Sequence, residues 1–210
     1  MKKIMFNDRF GLTKAVLDGR KTQTRRIMKG KPLLPTDEIE SAGILGDEVQ
    51  IIANGGESLI TMKLPYKHDE VVAVAQSYRE CDGFRKPGIP RWNEIAIAVG
   101  AVGVGWDNKM FVRANLMPHK IRITNVRIER LQEISDEDCL KEGIYPYYYG
   151  DEEEKKFYEI PPNGYTFYGT DYHYPTPREA FAHLIDKVSG KGTWERNPYV
   201  FVYDFELVKP

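Results

Sequence analysis

The spacing of apolar positions divides the chain into short strands and a few amphipathic helices. Leu12, Ala15 and Val16 share one helical face behind Asn7 or Asp8, either of which suits an N-cap, and Gly19 stands where a helix end favours positive φ. Residues 22–27, rich in Thr, read as a strand. Glu48–Ala53 and Ser58–Lys63 flank Asn54-Gly55-Gly56, a turn sequence that predicts a hairpin. Residues 71–75 form a continuous apolar run, the pattern of a buried strand, and Ile121, Ile123, Val126 and Ile128 mark another whose alternation slips near Thr124 and Asn125. Ser135 caps a short helix that Gly143 stops, with Asp138 as a shorter stand-in for the capping-box glutamate. Thr176-Pro177-Arg178-Glu179 opens the clearest helix, carrying Phe181, Leu184, Ile185 and Val188 on one face. Residues 199–208 are aromatic and β-branched, as a central strand requires. Many short strands without βα alternation predict an α+β fold, and no repeat is visible.

Composition narrows the function classes. A chain of 210 residues suits one domain, and a net charge of −1 excludes a protein that coats nucleic acid by charge alone. Any nucleic-acid contact must be local. Cys81 and Cys139 lack metal-ligand spacing, as do His68, His119, His173 and His183, so no metal is expected. Gly100, Gly103 and Gly105 match neither G-x-G-x-x-G nor a Walker sequence, and no cofactor is expected either. No apolar core follows Met1-Lys2-Lys3, and the most apolar run, 95–104, is about half of a membrane span. The expectation is a soluble protein of the reducing cytoplasm, without a membrane partner.

The charge is concentrated in one octet, Gly19-Arg20-Lys21-Thr22-Gln23-Thr24-Arg25-Arg26, with Lys29 and Lys31 close behind and Asp18 the only acid between Arg9 and Lys31. Cations in a last helical turn complement the helix dipole, which accounts for Arg20 and Lys21 but not for the rest. The segment reads as an anion or nucleobase site.

The octet resembles the G-x-K-T-x-T-x-R motif that ASCH proteins (activating signal cointegrator homology domains) carry after their first helix. Gly19, Lys21, Thr22, Thr24 and Arg26 fill its fixed positions. Residues 127–135, Glu142-Gly143-Ile144, Trp194 and Asn197-Pro198-Tyr199-Val200 then follow in the order of a larger, often phage- or prophage-borne branch of that family. The matching blocks span about half the chain and leave 28–65 and 145–174 as inserts. The resemblance implies a single domain over residues 1–210, built as a PUA-like mixed β-barrel with flanking helices. In one place the chain departs from the branch: its aromatic-Val-Arg-Glu segment has become a stretch with Ala75 and Gln76 at the Arg and Glu positions.

A group of small bacterial ASCH proteins hydrolyses acetylcytidine with a lysine and a threonine of the motif and a glutamate after the middle strand. The resemblance places these roles on Lys21, Thr24 and Glu142. Amide hydrolysis needs a nucleophile, a base and a proton donor for the leaving amine, which a threonine, a lysine of lowered pKa and a glutamate supply. Residues three apart face opposite sides of a regular strand, so Lys21 and Thr24 share a pocket only if Lys21 lies in the turn before it or a bulge intervenes. Arg20, Thr22, Arg25, Arg26 and Asn197 are the candidates for holding a nucleoside or RNA, and Arg26, at the family's arginine position, is the one expected to reach the pocket. Two other readings stay open. The basic cleft suits a non-catalytic RNA-binding module, and residues 145–174, with nine of the thirteen tyrosines around the acidic run 151–154, suit an interaction protein of mobile-element origin.

Overall fold

The computed structural model describes residues 1–28, 39–46, 48–53, 55, 58–81, 106–148 and 162–208. It is a mixed α+β structure. Its strands are β1 (Lys3–Ile4), β2 (Gln23–Ile27), β3 (Ile39–Leu45), β4 (Glu48–Ala53), β5 (Ser58–Lys63), β6 (Val71–Val74), β7 (Lys120–Arg130), β8 (Tyr145–Tyr147), β9 (Gly164–Thr166) and β10 (Tyr199–Val208). Its helices are α1 (Leu12–Leu17), α2 (Tyr78–Cys81), α3 (Asp136–Lys141), α4 (Pro177–Ser189) and α5 (Thr193–Arg196).

The main sheet has the order β1-β6-β7-β10-β2, antiparallel except for the parallel β1–β6 pair. β10 is central, as its run of aromatic and β-branched residues predicts. Opposite it, β7 carries an irregularity: Asp204 faces Asn125 while Phe205 faces Ile123, so Thr124 is the extra residue and the alternation slips where the sequence indicated. The edges β1 and β2 share no ladder among the described residues, but the Arg26 guanidinium of β2 donates to the Met5 carbonyl just past β1, 2.7 Å away.

The hairpin strands β4 and β5 pair from Glu48↔Lys63 to Ala53↔Ser58. Asn54 and Gly56 of the predicted turn lie outside the described residues, as do Lys29, Lys31, the runs 95–104 and 151–154, and Gly100, Gly103 and Gly105. β3, which apolar spacing did not mark, completes this second sheet; it is an edge strand exposed along most of its length and lacks the alternation of a half-buried strand. The predicted first helix forms in two steps. Asn7 caps a 3-10 turn, Asp8–Phe10, by accepting from the Arg9 amide, and α1 restarts after Gly11. The described ends of the tyrosine-rich segment form the small β8–β9 sheet, anchored by buried Phe167, with Tyr165 and Tyr174 packed on the core and Tyr168 and Tyr172 exposed.

One apolar core joins the sheet to α1 and α4 through Ile4, Val16, Ile121, Val202, Phe181 and Leu184. A smaller one lies under α2. No described helix is long and apolar enough to cross a membrane. The caps read at Ser135 and Thr176 are in place: Ser135 Oγ accepts from the Asp138 amide at 3.1 Å and Thr176 Oγ1 from the Glu179 amide at 3.2 Å. The Asp138 carboxylate does not complete a capping box, being turned instead to Arg25, Arg127 and Lys141.

Replacing either cap by alanine strands a helix-end donor, so Ser135→Ala and Thr176→Ala should each lower stability by about 1 kcal/mol. Urea midpoints with unchanged m-values provide the check; a midpoint equal to wild type would show that the cap bond contributes nothing.

Candidate active site

Lys21 reaches the interior because the chain turns sharply after α1. Gly19, at φ 75° with nothing within 4 Å of where a Cβ would lie, makes the turn, and the Arg20 and Lys21 amides both close onto the Ala15 carbonyl at 2.9 Å. Lys21 therefore precedes β2 instead of lying in it. The Thr22 amide bonds the Lys141 carbonyl at 3.0 Å and docks the turn on α3. Gly143, at φ 105°, ends α3 against the same turn, where a Cβ would sit 3.4 Å from Leu12 and 3.8 Å from the Lys21 stem. The outcome is an ion pair between residues 121 apart: Lys21 Nζ lies 2.5 Å from Glu142 Oε2 and 2.7 Å from the Glu142 carbonyl, both residues being buried.

Burial lowers the Lys21 pKa below the ordinary lysine value; Glu142 opposes that, and Arg26 and Arg25 reinforce it. Arg25 binds the other Glu142 oxygen at 3.2 Å and continues to Glu129 Oε1 at 2.5 Å, Asp138 Oδ2 at 3.1 Å and Gln23 Oε1 at 2.5 Å. Burial works against its charge, but Glu142 and Glu129 outweigh it and raise the pKa. The sheet register explains the network. Arg25, Val202 and Arg127 are cross-strand neighbours, so Gln23, Arg25, Asp204, Arg127 and Glu129 occupy one face, where Arg127 binds Glu129, Asp138 and Asp204.

Thr24 and Arg26 point to the other face of β2 and line, with Lys21, Arg25 and Glu142, a cavity of about 790 Å³. Phe6, Tyr66 and the α4 residues Phe181 and Leu184 form part of its apolar wall. Thr24 is buried, and its hydroxyl has no hydrogen-bond partner among the described residues. Arg26 sits over the Phe6 ring at 5.6 Å, has no carboxylate partner among the described residues, and keeps a buried Nε without an acceptor.

The structure thus brings Lys21, Thr24, Glu142, Arg25 and Arg26 together. It places Arg20, Thr22 and Asn197 elsewhere. Arg20 pairs with Asp18 at the surface, Thr22 ties the turn to α3, and Asn197, at φ 45°, ends α5 and accepts from the Gln132 amide at 2.8 Å. Ala75 and Gln76 do not line this cavity. No family model, curated protein or solved structure matches this chain. The site's chemistry therefore rests on its geometry.

That geometry offers a buried amine hydrogen-bonded to a carboxylate, beside a hydroxyl and a guanidinium. Burial pushes the Cys81 and Cys139 thiols up to about 12, which leaves neither as a nucleophile near neutral pH. No group of three metal-ligating side chains occurs among the described residues. Sequence reasoning did not single out Gln23, Arg127, Glu129, Asp138 or Asp204 as site residues. Their signal was the two-residue spacing of Gln23/Arg25 and of Arg127/Glu129, which acquires meaning once β10 fixes the register between the two strands.

Arg25→Met leaves three buried or half-buried carboxylates without their shared cation, so it should cost about 3–5 kcal/mol at neutral pH by urea unfolding. Asp138 adds a pH signature. Burial raises its pKa, but Lys141, Arg25 and Arg127 outweigh that and hold it below the ordinary aspartate value. Its contribution is full above about pH 4 and is lost as pH falls through its folded pKa, and Arg25→Met should flatten that acid loss. A cost under about 1 kcal/mol would show that the carboxylates do not depend on Arg25.

Proposed function

We propose that this cavity is an active site of ASCH type, set in a PUA-like barrel, that recognises a cytosine nucleoside and hydrolyses its N-acyl group. The observation that carries this reading is the buried Lys21–Glu142 pair opening on the Thr24 hydroxyl. The main sheet, with the Arg26–Met5 bond between its edges, supports the barrel.

An ammonium cannot act as a base and a carboxylate cannot act as an acid, so the pair works through its internal tautomer. Transfer of the Lys21 proton to Glu142 leaves a neutral Lys21 amine and a carboxylic acid, and burial, which lowers the Lys21 pKa, eases the loss of that proton. Lys21 then takes the Thr24 hydroxyl proton while Thr24 Oγ1 attacks the acyl carbonyl. As the tetrahedral intermediate collapses, the C–N bond breaks and Glu142 gives its proton to the exocyclic amine, releasing the cytosine nucleoside. Water, activated by the same pair, hydrolyses the acyl-threonine ester. Phe6 and Phe201 offer apolar surface against which a flat base packs.

A binding module that grips phosphate is favoured by a different observation, the Arg26 guanidinium in the cavity, which has no carboxylate partner among the described residues. The two readings demand different things of Thr24. Thr24→Val should abolish release of cytidine from acetylcytidine with little change in thermal melting, whereas a charge-based grip would lose only about 1 kcal/mol of RNA affinity. Wild-type protein that frees no cytidine at high enzyme concentration would sink the hydrolase.

A pair that works with one shared proton should also give a bell-shaped pH profile for kcat/KM. Its alkaline limb should fall below the ordinary lysine value, because burial lowers the Lys21 pKa. Activity still climbing beyond pH 10.5, the unperturbed lysine value, would remove Lys21 from proton transfer.

A further inference from the structure

The charge balance of the cavity exceeds what an acylated nucleoside requires. Five cationic side chains line it, Lys3, Lys21, Arg25, Arg26 and Lys63, against one carboxylate among the described lining residues, Glu142. Glu142 is shared by Lys21 and Arg25. The remaining three cations form no ion pair among the described residues: Lys3 Nζ donates to the Met110 and Val112 carbonyls, Arg26 to the Met5 carbonyl, and Lys63 is exposed at the end of β5, opposite Glu48 of β4 but not bonded to it.

These three form one group in the cavity. Arg26 reaches Met5, two residues from Lys3, and Tyr66, just past Lys63, donates its hydroxyl to the Lys3 carbonyl at 3.1 Å. Lys21, Arg25 and Glu142 form a second group, in which Arg25 sits over the Phe181 ring of α4 at 5.9 Å, and the two groups meet at the Phe6 ring, which Lys21 approaches to 5.9 Å and Arg26 to 5.6 Å. Thr24 and Arg26, two positions apart on one face of β2, connect the two groups across about 7 Å. The Arg26 Nε, buried and without an acceptor, adds a donor that an anion would satisfy. In a cytosine nucleotide, the exocyclic amine and the ribose phosphate lie at opposite ends of the molecule. A group that holds a carboxylate and a group without an ion pair among the described residues match those two ends.

We infer that the cavity takes its ligand as a nucleotide, with a terminal phosphate monoester held by Arg26, Lys3 and Lys63 while the acylated amine faces Lys21, Thr24 and Glu142. This rests on the cytosine-directed reading above. The phosphate side requires no further catalytic group, since its role is to position the base. A dianion there gains from cations that form no ion pair among the described residues.

The test uses ligands that cannot react. Cytidine, cytidine 5′-monophosphate and a short oligocytidylate lacking terminal phosphates are titrated calorimetrically into the wild type and into Lys63→Gln, with thermal melts to establish folding. The monophosphate should bind about tenfold or more tightly than cytidine, the size of one charge-assisted contact, and the excess should shrink with added salt. Lys63→Gln should narrow the gap. Equal affinities for cytidine and its monophosphate, or a gap that Lys63→Gln leaves intact, would overturn the inference. An oligocytidylate that outbinds the monophosphate would replace it with strand recognition. The two proposals fail separately: phosphate preference in a protein that cleaves no acylated cytosine removes the hydrolase alone, and acetylcytidine turnover without phosphate preference removes the nucleotide alone.

Discussion

A lysine ammonium left with 2 % of its surface exposed sets the terms for everything around it. Removing that charge from water costs several kcal/mol unless a partner and further hydrogen bonds replace the lost hydration. Glu142 supplies both, through its carboxylate and its own carbonyl. Meeting that condition fixes much of the fold, because Glu142 must end α3 at the point where the turn after α1 delivers Lys21. Gly19 gives that turn its left-handed residue, and Gly143 lets the end of α3 approach closely.

The pair also needs a second cation, because a carboxylate has lone pairs that one ammonium does not satisfy. Arg25 fills them and passes the charge balance on to Glu129 and Asp138, and through those to Arg127 and Asp204. The cavity thereby rests on a network drawn from β2, β7, β10 and α3. Such a hydrogen-bonded base holds its members in fixed positions.

Two adjacent arginines have opposite fates for a simple reason. Successive residues of a strand face opposite sides, so Arg25 enters the carboxylate network while Arg26 turns to the opposite face, where no carboxylate among the described residues pairs with it. One arginine is structural and the other remains available to a ligand. The motif position pointed to Arg26, and the neighbouring acids, supplied by β7 and α3, explain why Arg25 is not free in its place.

Local signals in the sequence were enough for much of the architecture. Helix caps at Ser135 and Thr176, the hairpin strands, the slip near Thr124 and the central β10 all follow from short-range preferences of dihedral angle, capping and alternation, which act within a few residues. The basic octet likewise marked Lys21, Thr24 and Arg26 by composition and motif. Tertiary structure alone decided the rest. Whether Lys21 meets Glu142 depends on how two turns 121 residues apart pack together, and the role of Asp138 changed from helix cap to ionic hub once Arg25 and Arg127 came within reach. Asn197 matched a motif, yet its left-handed backbone conformation committed its side chain to the Gln132 amide. An ion pair forms where opposite charges converge in space, and convergence over such separations is set by strand register and core packing, which no local window of sequence contains.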